Sequence, residues 1–243
     1  MSHPRRIALI AGLFYLVTIV TSIPALALKA PVLKDPATLA SPAARNALLS
    51  AALLEVILAL SCIGTAVVLY PIARRQSATA ALGFVMSRMA ESGLVLLGVV
   101  AMASLTTVVP GTVIVPGGAT AAPATASSAT SALVAIHDWA FLLGPGLVPA
   151  VNALLLGSVM YRSALVPRII PAVGLIGAPL LMASAVGTVL GLVDQISAVA
   201  GLAALPVALW EISLGIWLTV KGFRPEAVAR LAGRTTEPAP VTG

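Results

Sequence analysis

Six long apolar runs dominate the chain, at about 7–28, 47–73, 82–109, 132–160, 169–192 and 198–220. Each is long enough to cross a bilayer core, which takes about 20 apolar residues as a helix. A membrane strand would alternate polar and apolar positions over about ten residues. These runs are continuously apolar, so the pattern predicts helices. Proline interrupts several of them, at Pro24, Pro145, Pro149, Pro171, Pro179 and Pro206. Membrane helices tolerate such residues because neighbouring helices and Ser or Thr side chains take up the freed carbonyls. Kinks are expected near Pro145, Pro149 and Pro179.

Between the runs the chain turns small or polar. The connection 110–131, PGTVIVPGGATAAPATASSATS, is uncharged and rich in Gly, Pro, Ala, Ser and Thr. It reads as a flexible loop, with a short re-entrant piece as the alternative. After the last run, EAVARLAGRTTEPAPVTG reads as a brief juxtamembrane helix fraying into disorder. The expected organisation is a transmembrane domain over 1–224 and a short cytoplasmic tail over 225–243. Arg5, Arg6 and the small residues Ala25-Leu26-Ala27 resemble a secretory signal, but the apolar stretch from Ile7 is too long for one. The first run is therefore expected to stay as a membrane helix.

Composition makes the membrane reading firm. The 243 residues are 59% hydrophobic and only 9% charged, against roughly 25% charged in a soluble domain. Too few charges remain to cover a water-facing surface, and disorder would need the opposite balance. The single cysteine, Cys62, excludes an internal disulfide and a thiolate metal site. The net charge of +6 does not point to nucleic acid, because the cations lie in small groups between apolar runs and form no basic face. The expected partner is the lipid bilayer.

The cations set an orientation. Arg5, Arg6, Arg74, Arg75, Arg162, Arg168, Lys221, Arg224, Arg230 and Arg234 fall on one side, and Lys29, Lys34 and Arg45 on the other. The positive-inside bias then places both termini in the cytoplasm, as an even number of spans requires. The expectation is an all-α, polytopic membrane protein, a six-helix bundle in the cytoplasmic membrane.

Chemistry enters with the polar residues inside the runs: Glu55, Arg88, Glu91, His137, Asp138, Asn152 and Glu211. An unpaired charge at the bilayer centre costs about 2.5–3.5 kcal/mol even on gentle scales, so these groups should face the bundle interior and find partners. At 1.5 Å per residue, Arg88 lies roughly 9 Å from the cytoplasmic edge, and Glu91, Asn152 and Glu211 roughly 12–14 Å. His137 and Asp138 lie roughly 8–9 Å from the outer edge, and Glu55 roughly 12 Å. Two polar layers result. In the inner one, Arg88 shares a helix face with Glu91 and is placed to meet Glu211 across the bundle. One cation among two carboxylates leaves one Glu to be protonated or to find another donor. The layer reads either as a staple fixing helix packing or as part of a solute or proton pathway. The outer layer reads either as a vestibule or as His137 and Asp138 satisfying helix-end amides.

Catalytic patterns are missing from the sequence. It contains no H-E-x-x-H, G-x-S-x-G or P-loop. His137 and Asp138 are adjacent, so a helix points them about 100° apart, which suits no shared metal. No enzyme, cofactor or metal is expected. Gly144-Pro145-Gly146 reads as a helix break or a close-packing point. Gly187 and Gly191 form G-x-x-x-G, which nominates the fifth helix for close backbone packing.

Four stretches taken together, LLEVILALSCIGTAVVLYPIARRQS, HDWAFLLGPGLVPAVNALLLG, YRSALVPRIIPAVGLIGAPLL and WEISLGIWLTVKGF, are similar to a bacterial membrane family catalogued as domain of unknown function 4386. The resemblance runs from about Ile7 to Phe223. It implies an inner-membrane protein with about six helices and carries over no activity. The leading functional expectation is transport or permeation of a small solute or proton through the polar interior. The alternative is a scaffold or accessory subunit whose buried charges only specify packing.

Overall fold

The computed structural model describes residues 2–109, 112–113 and 123–234. The helices are α1 (His3–Lys34), α2 (Pro42–Ala73), α3 (Ala78–Leu105), α4 (Pro123–Leu143), α5 (Val148–Ser163), α6 (Ile169–Val189), α7 (Ala198–Val220) and α8 (Pro225–Arg234). A 3-10 turn, Pro36–Ala40, joins α1 to α2. Six helical segments are long and apolar enough to cross a membrane, with α4 and α5 together supplying the fourth. The protein is a multi-pass, all-helical membrane protein. Val20, Leu53, Val100, Ile176 and Leu202 are exposed, as expected of side chains solvated by lipid.

Local chemistry explains where the helices stop. Ser197 takes an extended conformation and accepts a hydrogen bond from the Ala200 N–H at 3.2 Å, a side-chain cap for α7. Ser77 does the same for Ala80 near the start of α3. At the far end of α7, Arg5 donates to the carbonyls of Leu218, Thr219 and Val220 at 2.8, 2.7 and 3.1 Å. A cation is favoured there, because a helix C-terminus presents unpaired carbonyls and the negative end of its dipole.

Four expectations need correction. First, α1 runs past the first apolar run to Lys34 and takes Lys29 into the protein, 2% exposed. Extending a formed helix adds a hydrogen bond per residue without a new nucleus, and a buried acid accepts the ammonium. Second, the expected kink near Pro149 gives way to a single break: the fourth run is interrupted by a turn at 144–147, as the helix-break reading of Gly144-Pro145-Gly146 has it. Pro145 has no N–H, so the Phe141 carbonyl loses its helical partner, while Pro149 sits harmlessly in the first turn of α5. Third, the connection 110–131 contains structure. Val108–Val109 pairs antiparallel with Thr112–Val113, and α4 begins at Pro123. Residues 110–111 and 114–122 of that connection, and 235–243 of the tail, lie outside the described residues.

The fourth correction concerns Gly187 and Gly191. Gly191 lies beyond α6 with φ +72°. Its N–H bonds the Thr188 carbonyl at 3.0 Å, and the Leu192 N–H bonds the Gly187 carbonyl at 2.8 Å. This pair of bonds is a Schellman stop, for which glycine is suited because it enters the left-handed region without a Cβ penalty. The close contacts of α6 occur elsewhere. A Cβ on Gly174 would lie 2.6 Å from Trp210, and one on Gly177 would lie 2.7 Å from Pro206.

The chain forms two compact units. One gathers Met1–Leu16, Ser61–Ala90 and Gly146–Gly243. Its core contains Tyr15, Leu69, Phe84, Leu156, Trp210 and Leu214, and α8 adds Ala227 and Leu231. The α8 helix is tied down by the Arg224 N–H on the Leu165 carbonyl, 2.9 Å, and by Arg230 on the Ser163 carbonyl, 3.3 Å. The other unit gathers Val17–Leu60 and Glu91–Pro145, around Val32, Leu39, Leu48, Ala52, Met102 and Leu105.

Candidate functional site

Each unit buries an ion pair among its described residues. In the first, α3 carries Arg88 and α7 carries Glu211, and the guanidinium Nη2 donates to Glu211 Oε1 at 2.6 Å. The Arg88 side chain is 1% exposed and Glu211 13%. Arg88 Nη1 lies 3.5 Å from the Cys62 sulfur. Its Cζ stands 5.2 Å from the Tyr15 ring centre and 5.7 Å from that of Phe84. Phe84 is one turn before Arg88, so the two share a face of α3. Tyr15 in turn meets Trp210 edge-on, with centroids 6.5 Å apart. An aromatic face attracts a cation through its quadrupole, and a planar guanidinium suits both ring and carboxylate. The arrangement clamps Arg88 from several sides.

The second unit holds Lys29 on α1, Glu55 on α2 and His137, Asp138 and Phe141 on α4. Lys29 Nζ bonds Glu55 Oε1, with both side chains buried. The ammonium also stands 4.3 Å from the Phe141 ring centre. His137 stacks on the same ring, with centroids 6.0 Å apart and planes 10° from parallel. Residues 137 and 141 lie one turn apart, which brings both rings to one side of α4. His137 Nδ1 lies 3.1 Å from Asp138 Oδ1. A cavity of about 10 Å³ is lined by Lys29, Glu55, His137, Phe141, Leu94, Val95, Gly98 and Pro145. That volume admits about one water molecule. Pro145 brings the α4 break to the cavity wall.

Of the inner layer expected from depth, Arg88 and Glu211 are paired in the first unit, where Asn152 also lies, and Glu91 follows Arg88 by three residues on α3, at the start of a segment of the second unit. Glu91 and Asn152 are both buried. His137 and Asp138 do not serve helix-end amides, because α4 begins several turns earlier at Pro123. Instead His137 turns inward and Asp138 outward, at 4% and 53% exposure. Sequence reasoning missed Lys29 as a site residue. Its charge looked like the end of a run, and the signal that would have found it is Glu55, a carboxylate in the outer half with no assigned cation.

A family model described as Domain of unknown function (DUF4386) matches residues 10–222. The chain belongs to that family. The matched region of this DUF4386 protein takes in Lys29, Glu55, Arg88, His137 and Glu211, so both ion pairs lie within the family domain. Neither a curated protein nor a solved structure matches the chain.

Proposed function

We propose that this DUF4386 protein moves protons, or a small solute coupled to them, across the membrane, with Lys29, Glu55 and His137 as the exchange site. The observation that carries the reading is the buried Lys29–Glu55 pair lining a water-sized cavity beside His137. A buried ion pair is a poor way to gain stability, since well-packed apolar residues usually do as well or better. Ionisable groups inside membrane spans most often mark substrate or proton routes. Three such groups around room for a water have the chemistry to bind and release a proton. The role is non-catalytic in this reading, and the sequence offers no nucleophile with a base.

The scaffold reading has one observation in its favour, confined to the first unit. Arg88 is packed against Tyr15, Phe84 and Cys62 as well as Glu211, an arrangement suited to fixing α1, α2, α3 and α7 in place. We assign that pair a stapling role. The membrane is proposed to be the cytoplasmic one, with both termini inside. Support comes from the cations: with Lys29 buried, the asymmetry becomes ten against Lys34 and Arg45.

Purified protein in liposomes with an internal pH-sensitive dye tests the proposal, first with an imposed pH gradient and then with a panel of small solutes. Dye response above protein-free liposomes, lost in Glu55→Gln, is expected. No response to the gradient or to any solute, from protein that is folded and correctly inserted, would refute the transport reading.

A further inference from the structure

His137 joins the buried cavity to the outer face of α4. Its Nδ1 lies 3.1 Å from Asp138 Oδ1, and an ionised carboxylate only accepts, so Nδ1 bears the hydrogen and donates. Nε2 is then the ring's acceptor. That atom is buried and has no hydrogen-bond partner among the described residues. Buried polar atoms in this state are uncommon and call for an explanation. The same ring lines the cavity with Lys29 and Glu55. A buried water needs about one probe sphere of space and two to four polar partners, and this cavity offers both. On the other side, Asp138 is 53% exposed. The charged and titratable groups around the ring are Lys29 from α1, Glu55 from α2 and Asp138 from α4. The α3 wall is apolar at Leu94, Val95 and Gly98, with Glu91 one turn earlier.

We propose that Asp138, His137 and Glu55 form a proton relay between the exposed face of α4 and the buried Lys29–Glu55 pair, with one water in the cavity as the link. The inference deepens the transport reading and rests on it for its purpose, though not for its test. In the outward direction the Glu55 carboxyl O–H breaks and its proton passes to the water, which gives one of its own to His137 Nε2. The water ends unchanged and the ring is an imidazolium. The Nδ1–H bond then breaks, and that proton forms an O–H bond on the Asp138 carboxylate. The ring is left neutral with its hydrogen on Nε2, and the proton now rests on Asp138 at the exposed face of α4. The reverse steps load Glu55. Each passage moves one proton and no electrons, and the reverse passage restores the Nδ1–H tautomer. A protonated Glu55 no longer balances Lys29, so the relay couples proton arrival to release of the ammonium.

The chain has only two histidines, so His3→Gln leaves His137 as the one imidazole to observe. The full chain with this change, carrying isotope-labelled histidine, is placed in lipid nanodiscs. The ring bands are followed by infrared spectroscopy after a pH step between about 8 and about 5. The relay predicts reversible ring protonation, slowed on the order of tenfold or more by Asp138→Asn and restored by Asp138→Glu. Asp138→Ser should repeat the slowing. A ring that stays neutral in the unsubstituted background overturns the relay without any Asp138 variant. So does protonation equally fast with Asp138→Asn or Asp138→Ser. Because the readout is protonation in place, a working relay in a protein that moves nothing would refute the transport reading alone. Flux that persists without the relay would refute the relay alone.

Discussion

Arg88 touches a carboxylate through Nη2 and a thiol through Nη1, and its guanidinium carbon stands near two aromatic rings. Removing one member of such a pair leaves the other charge buried and uncompensated, which is the costly event. Arg88→Ala is therefore expected to destabilise by about 3–5 kcal/mol. Adding Glu211→Ala should recover part of the loss, since the orphaned carboxylate goes too. Thermal unfolding in detergent of both singles and the double reads this directly, and strictly additive losses would show that the two residues do not interact. The pair was legible in the sequence because both charges sit deep within apolar runs, at heights about 5 Å apart on helical geometry. Lys29 was not legible in the same way. A lysine at the edge of an apolar run looks like a topology signal, and only the folded α1 shows it paired with Glu55. His137 was legible as a polar residue in a span, but its environment was not. The split between a buried ring and an exposed Asp138 depends on how α4 is rotated, which one helix's sequence does not state.

Helix existence followed from the runs because lipid leaves a backbone few alternatives to internal hydrogen bonding. Helix ends followed less well. The turn at 144–147 was open between a break and a packing point, and the Gly187–Gly191 spacing suggested packing where the chain makes a stop. A spacing of small residues is common in Gly-rich spans, so it does not say which face meets a neighbour. The glycines now separate by mechanism. Gly174→Ala puts a methyl 2.6 Å from the Trp210 ring, and helix packing must shift to admit it. Such overpacking costs about 1–3 kcal/mol. Gly191→Ala forces a Cβ into the left-handed region and costs about 1–2 kcal/mol. Gly191→Asn should be milder, because Asn accepts that conformation. Gly187→Ala meets only the Val193 side-chain end at 3.2 Å, and α6 gains helix propensity, so it should be close to neutral. Thermal shifts in detergent rank the three sites. A larger loss at Gly187 than at Gly174 would reverse the assignment of the packing face.

For the molecule as a whole, orientation and function are the open proposals, and both have direct tests. Cys62 is buried and is the only native cysteine, so single added cysteines report topology over a low background. Gln76→Cys and Lys221→Cys should be shielded from an impermeant thiol reagent in intact cells, while Asp35→Cys and Gln195→Cys should react. The reverse pattern would invert the protein in its membrane. The functional account rests on a division of labour, in which one buried pair exchanges protons and the other holds helices together. One measurement tests that division: dye-reported proton flux in liposomes, normalised to folded protein, for the parent, Glu55→Gln and the double variant Arg88→Ala with Glu211→Ala. The account predicts that Glu55→Gln folds but loses the flux, whereas the double variant is less stable yet retains flux per folded molecule. Undiminished flux in folded Glu55→Gln, with loss in the folded double variant, would contradict it.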